Sequence, residues 1–91
     1  MTLTRIRFRF IGRVQGVNFR QFVRNLSGPL GIGGFVRNRL DGSVEAELEG
    51  EPAAIDELVR ALHEEHPLAR IERVDRQEIP VEGSPPPVQV R

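Results

Sequence analysis

The chain has 91 residues, enough for one modest hydrophobic core and too few for two, so residues 1–91 are expected to form a single domain. With 13 basic and 13 acidic side chains there is no global field to recruit nucleic acid or an anionic membrane, and neither partner is expected. The absence of cysteine excludes disulfides, thiolate metal sites and a cysteine nucleophile.

The N-terminus, MTLTRIRFRF, lacks the uninterrupted apolar core of a signal peptide, and no apolar run approaches the roughly 18 to 20 residues that span a bilayer. A cytoplasmic protein is expected. Residues 5–11 alternate, with Ile6, Phe8 and Phe10 on one face and Arg5, Arg7 and Arg9 on the other, the period of a half-buried strand. After a glycine-containing bend, Phe19, Phe22, Val23 and Leu26 recur at helical spacing. Gly28 and Pro29 are expected to stop that helix, because proline disfavours helical geometry in the residue before it and offers no N–H. Gly33 and Gly34 lead into a short strand, FVRN. Leu40, Asp41 and Gly42 predict a hairpin turn with Asp-Gly supplying positive φ angles.

In the partner strand, SVEAELEG, Val44, Ala46 and Leu48 face inward and Glu45, Glu47 and Glu49 outward. Pro52 suits a first helical turn, and Ile55, Leu58, Val59 and Leu62 repeat the apolar stripe until residues 64–67 end it. Residues 70–79 predict another strand. The Pro-rich tail, EGSPPPVQVR, reads as an extended connector with room for a short edge strand at residues 88–90. Two βαβ halves with right-handed crossovers predict an α+β, ferredoxin-like βαββαβ sandwich, an antiparallel sheet of four to five strands with two helices on one face. Its central neighbours would be the first and third strands, setting arginines opposite glutamates.

The bend GRVQGVNFR, residues 12–20, is the candidate site, with a plain turn followed by a surface arginine as the alternative that spacing alone leaves open. A strand that turns through Gly12 and Gly16 into a helix exposes unpaired N–H groups at the positive end of the helix dipole, a cup that prefers an anion. Arg20, one turn into the helix, can aim a planar five-donor fork into it, and phosphate is the natural guest. The bend matches neither a Walker A loop nor the dinucleotide fingerprint. Asn18 is suited to cap the helix through its side-chain oxygen. Asn38 ends a strand parallel to the first, so it can reach the same end of the sheet or cap the Asp41-Gly42 turn.

The loop GRVQGVNFR, followed by GGFVRNRLDGSVEAELEGE, resembles the acylphosphatase family, with its G-x-V-Q-G-V-x-F-R loop and a later G-[WF]-V-x-N strand and hairpin. The likeness runs from about residue 5 to residue 79. It implies hydrolysis of acyl phosphates, with Arg20 binding phosphate, Asn38 orienting the attacking water, and Arg13, Val14, Gln15, Gly16, Val17, Asn18 and Phe19 supplying backbone donors. No cofactor or metal is implied, and a monomer is expected. The segment PLARIERVDRQEI is similar to the N-terminal acylphosphatase-like domain of the carbamoyltransferases that mature hydrogenases, which leaves an excised domain acting on carbamoyl phosphate as an alternative.

An RNA-binding module of the same architecture is a further alternative. Such modules stack bases on aromatics of the open sheet face, whereas Phe8 and Phe10 share the inward phase of Ile6. His63 and His66 are spaced so that they could share a metal but read as solvent-facing side chains at a helix end beside Glu64 and Glu65. Ser27, Ser43 and Ser84 lie in a helix end, a turn and the tail, and none resembles an activated nucleophile.

Overall fold

Alternation in the first strand places its aromatic side chains under the helices and its arginines on the other face, and the rest of the sheet is ordered around it. A computed structural model describes residues 2–91. Its elements are β1 (Thr4–Arg13), α1 (Phe19–Leu30), β2 (Gly33–Asn38), β3 (Val44–Gly50), α2 (Pro52–Glu64), β4 (Arg70–Ile79) and β5 (Gln89–Val90). The strand order is β4-β1-β3-β2-β5, the expected ferredoxin-like sandwich. The sheet is mixed rather than wholly antiparallel, because β5 runs parallel to β2. The tail has already crossed the sheet when it pairs, so it arrives in the direction of β2.

Phe8 and Phe10 of β1 are fully buried against Val44, Ala46 and Leu48 of β3 in one apolar cluster, each worth about 1.5–3 kcal/mol of transfer free energy. The Phe10 and Phe19 rings meet edge to face with centroids 5.3 Å apart, joining β1 to the start of α1. On the other face the register sets Arg5 opposite Glu49, Arg7 opposite Glu47 and Arg9 opposite Glu45. These side chains are not simply solvated, as an outward face would imply: Arg5, Glu47 and Glu49 are buried. Arg5 binds Glu47 and Glu49 at once, and the tail lies over them. Arg9 reaches past its register partner to Asp41 and Ser43. Burial works against the charged form of Glu49, but the Glu82 amide, the Arg5 guanidinium and the Ser84 amide outweigh it and hold its carboxyl below the ordinary range.

Two expectations about the first crossover are corrected. β1 does not end before Gly12 but continues to Arg13 through an irregularity in its pairing with β4 at Ile11 and Gly12, so the bend proper is residues 14–18. Nor does α1 stop at Gly28 and Pro29; it runs to Leu30 with Pro29 in its last turn. Gly28 has no Cβ to clash with the proline ring. The left-handed Gly31 closes the helix, its amide donating to the Gly28 carbonyl and that of Ile32 to the Ser27 carbonyl, at 3.1 and 3.0 Å. In α2, Pro52 occupies the first turn, and Ile55, Leu58 and Leu62 form the buried stripe.

The β2–β3 hairpin also differs from the expected Asp-Gly turn. Only Gly42 has positive φ, at 93°. Its amide donates to the Arg39 carbonyl, and the Arg39 amide to the Ser43 carbonyl, so three loop residues are closed by a left-handed glycine. Asp41 works through its side chain, accepting hydrogen bonds from the Ser43 amide and hydroxyl. At the other end of β2, Gly34 has φ 119°, and a Cβ there would lie 1.8 Å from the Glu47 carbonyl oxygen.

Gly34→Ala therefore has neither the backbone conformation nor the space it needs, and is expected to lower the stability measured by urea unfolding by about 2–4 kcal/mol. The hydroxyl and amide of Ser43, helped by Arg9, hold the Asp41 carboxyl down at about 2 against its ordinary 3.8. Because the folded value is the lower one, this stabilisation is complete above roughly pH 4 and is lost as pH falls through about 2. Thermal unfolding midpoints should thus fall more steeply over that interval in the wild type than in Asp41→Asn.

Candidate anion-binding site

Between β1 and α1 the loop is pinned from below and open above. Val14 and Val17 are buried in the core, while Gly16 and Asn18 are exposed. Gly16 has φ 73° and Asn18 φ 65°, so both adopt the left-handed conformation. Asn18 is indeed the residue before the helix, but its side chain makes no capping hydrogen bond. Its contribution is the turn itself, since asparagine tolerates this conformation better than other residues bearing a Cβ. The first helical bond is donated by the Phe22 amide to the Asn18 carbonyl. Among the described residues, the amides of residues 15–21 have no acceptor within the protein.

The first turn of α1 contains no acidic residue, and instead carries Arg20. A cation at the positive end of a helix is unfavourable by itself, typically by 0.3–1 kcal/mol near the surface, and becomes favourable once an anion sits between it and the free amides. Arg20 is half-buried, and its Nη1 donates to the main-chain oxygen of Arg91 at 2.8 Å. That contact takes one of its five donors and leaves the rest of the fork available.

Asn38 comes from the end of β2, where it pairs with Val44. The hairpin beyond it is tied to the loop by Gln15, whose Nε2 donates to the carbonyls of Arg39 and Ser43, both at 2.8 Å. This clamp fixes the end of β2 against the loop and answers what holds the turn: Gln15, Asp41 and the backbone bonds do so, leaving Asn38 facing a cleft. The cleft has a volume of about 280 Å³ and is lined by Val14, Gly16, Asn18, Phe19, Arg20, Gln21, Asn38 and Val90.

Six of the residues expected at the site thus share one cleft: Val14, Gly16, Asn18, Phe19, Arg20 and Asn38. Three lie beside it. Arg13 is an exposed residue at the end of β1 opposite Arg70, the Gln15 side chain is engaged by the hairpin, and the Val17 side chain is in the core. Gln21 and Val90 were not anticipated. Gln21 follows Arg20 in the first helical turn and could have been found from the loop-to-helix pattern, whereas Val90 lines the cleft only because the tail pairs with β2.

His66 does more than face solvent. Its Nδ1 accepts hydrogen bonds from the Leu68 and Ala69 amides, and its ring packs 4.7 Å from that of Phe22, which fixes the connection to β4. His63 is exposed in the last turn of α2. Phe8 and Phe10 lie beneath the helices with no surface open to solvent, where no base can stack on them. No helix among the described residues is long and apolar enough to cross a membrane.

An acylphosphatase family model matches residues 6–85. The acylphosphatase of Rubrobacter xylanophilus is 49% identical over 87 residues, covering 96% of this chain and 79% of the relative. The structure of an acylphosphatase from Coxiella burnetii matches with a TM-score of 0.85 at 36% identity, covering 98% of this chain and 93% of that one. Full-length HypF, in its phosphate- and nucleotide-bound form, matches with a TM-score of 0.86 at 25% identity, covering 99% of this chain and 12% of the longer one. A family model spanning most of the sequence and a relative near half identity over almost all of it agree: this chain belongs to the acylphosphatase family.

Proposed function

We propose that the phosphoryl group of an acyl phosphate occupies the cup formed by the backbone of residues 13–19 and the N-terminus of α1, that Arg20 neutralises it, and that Asn38 orients the attacking water. The observation that carries this reading is that Arg20 and Asn38, delivered by α1 and β2, line the same cleft as a loop whose amides are free of other partners. The water oxygen bonds to phosphorus while the bond from phosphorus to the acyl oxygen breaks, and that electron pair leaves on the carboxylate. A carboxylate is a weak base, with a pKa of about 4 to 5, so its departure needs no general acid. The proton of the water passes to a phosphate oxygen of the substrate, and the protein supplies positioning and charge stabilisation.

Every group in this scheme comes from one chain, so a monomer suffices, and the cysteine-free composition is compatible with a cytoplasmic location. Carbamoyl phosphate, as the substrate of an excised HypF-like domain, is the second reading. It draws on the structural likeness to HypF at 25% identity and is weaker than the acylphosphatase reading, which draws on 49%.

Hydrolysis of benzoyl phosphate, with inorganic phosphate as competitor, tests the scheme. Arg20→Ala should lose about 3 kcal/mol or more of transition-state stabilisation, more than a hundredfold in kcat/KM, together with phosphate inhibition. Asn38→Ala should lower kcat on the order of a hundredfold and leave the inhibition constant for phosphate nearly unchanged. An equal loss of phosphate affinity in Asn38→Ala would assign that residue to binding instead.

A further inference from the structure

Among the described residues, β4 is the long strand whose outer edge has no partner. It ends the strand order, pairs with β1 alone, and runs ten residues, Arg70–Ile79, without proline or glycine. At the opposite edge the tail lies over the sheet as a strap and closes with β5, which is two residues long. A long edge of free N–H and C=O groups is a template for another strand, and proteins commonly guard it with charges. β4 carries charges, but in an order that a guard alone does not require.

Their signs are antisymmetric about Val74. Arg73 and Asp75 stand one residue to either side, Glu72 and Arg76 two, Arg70 and Glu78 four, and each pair is of opposite sign. Arg70, Glu72 and Glu78 have no ionic partner among the described residues, and Arg73 bonds Asp75 of its own chain at the exposed surface. Arg73 lies opposite Ile11 and Asp75 opposite Arg9, so both project on the open face, while Val74, opposite Phe10, projects toward the helices. Two large apolar side chains that stay exposed, Leu68 at 58% and Val81 at 48%, stand just before and just after this strand.

We infer that a second copy of this chain docks antiparallel on β4 about a two-fold axis at Val74, joining two five-stranded sheets into one continuous sheet. The axis sets Val74 against Val74, Arg73 against Asp75 of the second copy and Glu72 against Arg76 of the second copy, and symmetry repeats each ion pair. Opposite charges directly across a ladder attract and like charges repel. The pleat allows slips of two residues only, because a slip of one would set helix-facing side chains against open-face ones. Those slips bring Asp75 against Asp75 or Arg73 against Arg73 on the axis, so the charge order selects the register. Antiparallel docking also carries Leu68 of each copy to the Ile79–Val81 end of the other, where both lose contact with water. With 13 basic and 13 acidic residues the two copies carry no net repulsion. A foreign strand has no reason to mirror this order, whereas a second copy matches it by symmetry. No residue of β4 lines the cleft, so each copy keeps its own open site and the inference stands apart from the proposed reaction.

The test is sedimentation equilibrium of the full chain. An interface of one strand edge is small and belongs to the weak, reversible class, so the mass should rise from 10.3 kDa toward twice that value between about 1 and about 500 µM, and the rise should weaken at high salt. Arg73→Asp opposes carboxylates across the axis and Asp75→Arg opposes guanidiniums. Each variant alone should bind itself at least about tenfold more weakly. An equimolar mixture of the two restores opposite charge at both contacts and should recover the dimer, which a folding defect would not do. Glu72→Arg and Arg76→Glu pose the same question one step further from the axis and replace the first pair if circular dichroism shows either member unfolded. A wild type that stays at the mass of a single chain, growth past the dimer without a plateau, a dimer untouched by either substitution, or folded variants whose mixture stays monomeric would each overturn the inference.

Discussion

The arrangement that governs this protein is a positive charge set at the positive end of a helix, beside a row of backbone amides that have nothing to bond. Arg20 and the amides of residues 15–21 share one positive corner with no acidic side chain in the first helical turn to offset it. A fold tolerates such a frustrated corner only if the surrounding structure fixes it. Here the fixing groups are the two loop valines, Val14 and Val17, buried beneath the turn, and the Phe10 and Phe19 rings that meet at its base.

The sheet supplies the second requirement, which is to bring a group from elsewhere in the chain to the same corner. β1 and β2 run in the same direction on either side of β3, so the strand that feeds the loop and the strand that ends in Asn38 finish at one end of the sheet. Parallel direction alone would leave the two ends free to sway. Gln15 removes that freedom by bonding the hairpin carbonyls, and Asp41 stiffens the turn beyond them. The charged ladder on the open face serves the remote end in a similar way. Arg5 bridges two buried carboxylates, Arg7 adds its own bonds to Glu47, and the amides of the tail complete Glu49, so the acid-rich strand becomes a docking platform instead of a repulsive face.

Such a site fits the reaction of this family. Acyl phosphates carry their own good leaving group, so little is asked of the protein beyond holding a multiply charged group and excluding wrong geometries. The cleft offers loop amides, the Arg20 guanidinium and the carboxamides of Asn18, Gln21 and Asn38 on a chain of 91 residues.

Local sequence determined most of this in advance. The two-residue period of β1, the apolar stripes of both helices and the spacing of the glycines each follow from short-range geometry, and they sufficed to anticipate the sandwich and the glycine-bordered bend that opens α1. Local rules misjudged details where a neighbour intervened: Pro29 stayed helical because Gly28 and Gly31 relieved it, Asn18 served as a left-handed residue rather than a cap, and two of the three outward glutamates, Glu47 and Glu49, were buried beneath arginines and the tail. What only the tertiary structure decided are contacts between segments far apart in the chain, such as Gln15 with Ser43, Val88 with Ser27 and Arg91 with Arg20. No periodicity encodes these pairs, because each depends on where a sheet register and a strap path happen to set two polar groups within hydrogen-bond reach.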